Sequence, residues 1–276
     1  MSGHGPPRIE AERSGTRRPG EPQDGEPGID DPRTTLQRSQ ALRRRKFLRS
    51  VYEEWYRELV ARIPDGPGRV LEVGAGPGFL SELLPEVVSS DLLPLETVDL
   101  VLEASALAVR DGSLRAIVLT NVFHHIPDPA AFLRGAARAV RPGGALVMLE
   151  PWVTSFSRIV YGRLHHEPFD PRVQEWTFPK GGPLSAANPA LPWIVFERDR
   201  DRLRREHPEW EAPEVATTMP FRYLVSGGFT APTFVPAWSF APLRWLESAL
   251  GPLGRHLALF AYVTLKRAGA PAAPTA

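Results

Sequence analysis

Three groups of residues in this chain have types and spacings suited to chemistry. Within residues 69–78, an acid is followed by three alternate glycines: Glu72, Gly74, Gly76 and Gly78. Glycine has no Cβ, so a ligand can approach the backbone and positive φ costs little. The glycines follow an apolar run, Val70, Leu71 and Val73, and precede Phe79, Leu80, Leu83 and Leu84 at helical spacing. A strand, a glycine turn and a helix N-terminus together form a nucleotide-type cradle at the carboxyl edge of a parallel sheet. The second group is Asp91, which closes an expected strand over 86–90. Its two carboxylate oxygens can accept both hydroxyls of a ribose. The third group is histidine-rich: His124-His125 after an expected strand over 114–119, and His165-His166-Glu167 further on. An imidazole or carboxylate placed beside an acceptor hydroxyl serves as a general base. Neighbours on an extended stretch point to opposite sides, so at most one of His124 and His125 is expected to face a site. A metal at 165–170 is the weaker reading, because adjacent histidines do not converge on one ion and no cysteine supports them. His125, His166 and Glu167 are therefore the candidate catalytic residues, and no metal is expected.

Spacing decides which nucleotide the cradle suits. A dinucleotide fingerprint needs G-x-G-x-x-G, and counting from Gly74 its third glycine position is Phe79. The pattern Glu72-x-Gly74-x-Gly76-x-Gly78 instead resembles motif I of class I S-adenosylmethionine-dependent methyltransferases. Further punctuation follows in order: Glu103-Ala104 after a strand over 98–102, then Asn121, His124-His125-Ile126-Pro127-Asp128-Pro129, and Arg141-Pro142-Gly143-Gly144. Over residues 45–151 this set resembles the type-11, ubiquinone/menaquinone-biosynthesis-like branch of that family. The resemblance implies S-adenosyl-L-methionine as cofactor, held by Tyr52, Glu72, Gly74, Ala75, Gly76, Gly78, Asp91, Leu92, Glu103, Ala104 and Asn121. It also implies a doubly wound α/β fold with a seven-stranded, mostly parallel sheet. Two departures stand out: Glu103 where the family usually has aspartate, and Arg115 where the branch usually has an aspartate before strand four.

The elements that must position these residues are legible to different degrees. Residues 1–35 are rich in proline, glycine and charge and are expected to be disordered. Leu48, Val51, Tyr52, Trp55 and Leu59 recur at helical spacing, so an amphipathic helix is expected to end near Pro64 and bring Tyr52, Trp55 or Tyr56 towards the cofactor. Arg43, Arg44, Arg45, Lys46 and Arg49 at its start read as a solvated face, ahead of a nucleic-acid or lipid patch. A helix is expected over 129–140 and a fifth strand over 145–149. Residues 151–219 interrupt the strand–helix rhythm with tryptophans and prolines and read as a cap over the sheet's carboxyl edge, with a solvated charged helix over 197–206. The run 185–193 is expected either to recognise a polar ring or to pack the cap. A sixth strand is expected over 229–240, a helix over 242–254 with Leu243, Leu246 and Leu250 on a stripe read as core-facing ahead of a peripheral membrane contact or a second subunit, and a last antiparallel strand over 256–266. The methyltransferase domain thus spans 36–267, with a flexible tail at 268–276.

Composition narrows the class. The net charge of +1 provides no global field for nucleic acid or anionic lipid. With no cysteine there are no disulfides or thiolate sites, which fits a cytoplasmic setting. The longest late apolar run, 257–265, falls far short of the ~20 residues of a membrane span, and the first residues do not read as a secretory signal. The expected function is methyl transfer to a small molecule, principally O-methylation of a secondary metabolite, sugar or quinone-like acceptor, by a monomer or homodimer. Two alternatives are an RNA methyltransferase using the 43–49 basic run and a cofactor-binding subunit without activity.

Overall fold

Strands buried on both faces read as near-continuous apolar runs, and the centre of this sheet follows that rule apart from the buried Glu72 and Glu150 near its carboxyl edge. The computed structural model describes residues 28, 30–164, 168–179, 182 and 185–269. Its strands are β1 (Arg69–Val73), β2 (Val87–Asp91), β3 (Leu100–Val101), β4 (Leu114–Thr120), β5 (Val140–Pro151), β6 (Glu214–Thr218) and β7 (Phe260–Lys266). They form one sheet in the order β3-β2-β1-β4-β5-β7-β6. β1 to β5 pair in parallel, whereas β7 runs antiparallel to both β5 and β6. Side chains alternate across the sheet with period two. Along β4, Ile117 and Leu119 enter one core while Ala116 and Val118 enter the other.

Helices α1 (Pro32–Arg44) and α2 (Lys46–Val60) cover one face with β7's Phe260 and Tyr262. In α2, Leu48, Val51, Tyr52, Trp55, Tyr56 and Leu59 are all buried, at the i, i+3, i+4, i+7 spacing of an inward stripe. Each bulky side chain so buried contributes at most roughly 1.5–3 kcal/mol. Helix α3 (Pro129–Ala139) starts at Asp128, whose Oδ1 accepts from the Ala131 N–H, with Pro129 as first helical residue. α4 (Ser155–Leu164) joins α1 and α2 on the first face through Phe156 and Val160, whereas α5 (Leu191–Trp193), continuing as a π-helical turn through Arg198, and α6 (Arg200–Glu206) pack the other face with α3. Between β6 and β7 lie α7 (Arg222–Ser226), α8 (Phe240–Ala249) and α9 (Gly254–Leu257).

Several expectations change. The segment after the glycine turn is one 3₁₀ turn, Leu80–Glu82, because Pro77 and Pro85 leave no room for a helix. α1 opens at Pro32, ahead of the expected boundary at Thr35, with Asp31 accepting from the Arg33 N–H. The sixth strand is Glu214–Thr218, and the run expected as strand holds instead a loop, a 3₁₀ turn and the start of α8. Three prolines in 232–242 block a central strand there. The stripe 243–250 does not face the core as a unit: Leu243 packs inward, Leu246 is exposed, and Glu247 is the buried residue. Nor is the basic run wholly solvated. Arg45 breaks the chain between α1 and α2 and donates to the Ser226, Gly228 and Ala231 carbonyls. Arg49 pairs with Glu53 and Glu82 and stacks 4.4 Å over Phe79. The tails at 1–27 and 270–276 lie outside the described residues.

Candidate active site

The β1 loop turns on Gly74, whose φ is +71 and whose missing Cβ would sit 2.5 Å from Val122. Gly78 is equally constrained, since a Cβ there would lie 2.3 Å from Tyr56 Oη. Asp91 at the tip of β2 holds the loop: the Gly76 N–H donates to its Oδ2 and the Leu93 N–H to its Oδ1, each at 2.9 Å. Each oxygen keeps a lone pair for a ligand hydroxyl.

A cavity of about 630 Å³ opens over this edge of the sheet. Tyr52, Gly74, Ala75, Gly76, Gly78, Asp91, Leu92, Glu103, Ala104 and Asn121 all line it, so the structure gathers nearly the whole predicted set. Glu72 is the exception. It is buried one step beneath the loop: Ser90 Oγ donates to its backbone carbonyl, but its carboxyl receives no hydrogen bond from any described residue. Burial, and then the charge of Asp91, push its carboxyl up to about 8. Glu103 is exposed and accepts from Ser105 Oγ. Trp55 points into the core and stacks on Tyr223, while Tyr52 and Tyr56 face the cavity. Arg115 lies at the far end of β4, paired with Glu86 at 2.9 Å, so this departure lies outside the cavity lining.

The histidine pair differs from expectation. Phe123–His125 is a 3₁₀ turn, which brings the two rings within 4.2 Å of each other, and both line the cavity. Asn121 starts that turn with φ +57, a conformation asparagine tolerates. Beneath it sits Glu150, fully buried near the end of β5. Its Oε1 accepts from the Val122 and Phe123 N–H groups, and its Oε2 takes His124 Nδ1 at 2.7 Å. A carbonyl can only accept, so the contact between His125 Nδ1 and Ala186 O at 3.2 Å places the ring proton on Nδ1 and the lone pair on Nε2. Burial pushes both imidazoles down to about 3, so they are neutral at physiological pH, and it raises Glu150 to about 7. Sequence reasoning missed Glu150; its position at a parallel strand's carboxyl end was the available signal. His166 and Glu167 lie outside the described residues. The 185–193 run packs the cap. Asn188 exchanges hydrogen bonds with Asp170, its N–H donates to the His124 carbonyl, and Ala186 holds His125.

Residues 44–213 match the sequence profile of a methyltransferase domain. The chain belongs to the class I S-adenosylmethionine-dependent methyltransferase family. The ubiquinone biosynthesis O-methyltransferase of Xanthomonas oryzae pv. oryzae is 34% identical over 108 residues, covering 32% of this chain and 45% of that protein. Its counterpart from Xylella fastidiosa is 36% identical over 104 residues, covering 31% and 42%. The chain thus spans less than half the length of these curated relatives. A possible histamine N-methyltransferase from Thermotoga maritima superposes with a TM-score of 0.51 at 16% identity, covering 86% of this chain and 99% of that one, a likeness of fold.

The cavity suits the methyltransferase cofactor. S-adenosylmethionine brings donors (an ammonium, a ribose diol and an adenine amino group), and the walls supply acceptors. Asn121 Oδ1 and Thr120 Oγ1 are buried in the cavity wall without hydrogen-bond partners. Asp91 has spare lone pairs. Glu72 is a buried carboxyl that a nearby ammonium would draw back to its ionised form. Among the described residues no His, Asp or Glu cluster could hold a metal ion.

Proposed function

We propose that this methyltransferase O-methylates a small, apolar, hydroxylated aromatic acceptor, with His125 receiving the acceptor's proton. The observation that carries this reading is the division of the single cavity. Over β1 to β3 it is lined by the glycine loop, Asp91 and Glu103; over β5 and β7 it is lined by Tyr161, Tyr223, Phe229 and Phe260. His125 stands between the halves, past the end of β4. A sugar would need several polar partners where this half offers aromatic walls, so a flat ring fits better.

When bound, S-adenosylmethionine supplies an electrophilic methyl whose departure leaves a neutral thioether. The chain's own residues do the rest. Asp91 and the loop fix one reactant, the aromatic walls fix the other, and such alignment can supply up to ~7–11 kcal/mol. His125 presents Nε2 as the lone-pair nitrogen and takes the hydroxyl proton, a step worth roughly 10²–10⁴-fold. Glu150, behind the paired rings, raises the basicity of His125 and offsets the imidazolium that forms. O-methylation is also what the names of the Xanthomonas and Xylella relatives describe.

Turnover and cofactor affinity measured separately in His125→Ala test this reading. We expect turnover to fall roughly 10²-fold or more, with affinity for adenosylhomocysteine unchanged. Unchanged turnover would remove His125 from the chemistry.

A further inference from the structure

Exposed large apolar side chains are normally scattered singly; among the described residues Leu36, Leu92, Leu100, Val101 and Ile159 lie apart, but five others, both exposed tryptophans included, fall within twenty residues of one another. Phe234, Trp238, Trp245, Leu246 and Leu253 are 68%, 77%, 74%, 43% and 49% exposed, all within the segment that carries α8 and its two flanking 3₁₀ turns. α8 explains how they come to face outward. Phe240, Leu243 and Glu247 occupy its inner face, Phe240 against Phe47 and Glu247 against Arg222, so Trp245 is directed to solvent. Phe234 also lines the cavity, so the apolar surface continues into the acceptor half.

Charge around the patch is one-sided. Residues 229–265 contain one carboxylate, Glu247, and it is buried in its ion pair with Arg222. Arg244 and Arg255 are exposed in the same stretch. The Phe47–Phe240 contact at 5.4 Å joins α8 to the α1–α2 junction, where Arg43, Arg44 and Lys46 are exposed. Exposed tryptophans bordered by cations, with no exposed acid in their own segment, complement an interface of apolar tails and anionic headgroups. A second copy fits less well, since a two-fold contact through this face would set these cations against one another.

We propose that the α8 face docks on a membrane surface carrying anionic phospholipids, placing the cavity mouth where an apolar acceptor can enter from the lipid. The delivery step rests on the acceptor class proposed above; the docking does not.

The test is co-sedimentation of the full chain with vesicles of phosphatidylcholine alone or mixed with phosphatidylglycerol, beside calorimetry with adenosylhomocysteine. We expect binding to the mixed vesicles that weakens as salt rises. Trp238→Ser/Trp245→Ser should reduce it at least about tenfold, and Arg43→Ala/Arg44→Ala/Lys46→Ala should erase the preference for phosphatidylglycerol. Both variants should bind adenosylhomocysteine as the wild type does. Wild-type protein that binds adenosylhomocysteine yet stays in the supernatant with every vesicle overturns the proposal. So does a wild-type dimer in light scattering that the tryptophan variant converts to monomer. Absence of heat with adenosylhomocysteine would instead sink the functional reading, whatever the vesicles show.

Discussion

Glu150 and Glu72 are two buried carboxyls with opposite relations to their surroundings. Glu150 is satisfied, with two backbone N–H groups on one oxygen and His124 on the other. In Glu150→Gln the amide would keep the backbone bonds but present N–H to His124 Nδ1, reversing that ring's tautomer. Turnover should fall at least about tenfold at unchanged cofactor affinity. Burial holds Glu150 at about 7, so its ionised form, the one that supports a forming imidazolium, grows in as pH rises through that value. The wild-type rate should therefore rise across about pH 7, and the variant should lose this limb. Glu72 has no such partners, and burial raises it from the ordinary 4.5 to about 8. Between those values the folded chain keeps a proton that the unfolded chain has released, so stability is lost as pH rises through the folded value. Glu72→Gln should flatten that decline in thermal melts of the ligand-free protein at pH 5.5 and 8.5. It should also weaken adenosylhomocysteine binding about tenfold, since the charge that favours the ammonium is gone. The glycines, Asp91 and Asn121 were legible in sequence because local spacing defines them. Glu150 was not, because its partners lie 26 to 28 residues away in the turn that follows β4.

At the scale of elements, the α1–α2 junction closes one wall of the cavity. Thr35 and Arg38 from α1 and Tyr52 and Tyr56 from α2 all line it. Arg45, between the helices, donates to three carbonyls of the turn that carries Phe229 and Phe234. Arg45→Ala strands those acceptors and should cost about 2 kcal/mol in denaturant unfolding. The apparent KM for the acceptor should rise more than the Kd for cofactor, because the loosened turn belongs to the acceptor half. Strands β1, β4 and β5 and helices α2 and α3 were readable from periodicity and capping, which are local signals. β6 was misplaced because its residues, Glu214–Thr218, are half exposed at the sheet edge and show no apolar run. The 3₁₀ turn of His124 and His125 was likewise hidden, since it depends on Glu150 accepting two of its N–H groups.

For the molecule as a whole, the sheet order gives the cavity two unlike halves, the glycine loop and Asp91 over β1 to β3 and aromatic walls over β5 and β7, which under the proposed function would hold the nucleoside and the acceptor. Both ligands would bind the folded form alone, so each should raise the melting temperature. Adenosylhomocysteine at a hundred times its Kd should add about 2.7 kcal/mol. Among the described residues no helix is long and apolar enough to cross a membrane. The central claim is that the glycine loop and Asp91 build a pocket for this thioether nucleoside. Titration calorimetry of the wild type and Asp91→Ala with adenosylhomocysteine tests it most directly. Saturable one-site binding to the wild type and at least about tenfold weaker binding to the variant are expected; no heat from the wild type, or equal affinity in both proteins, would rule this pocket out.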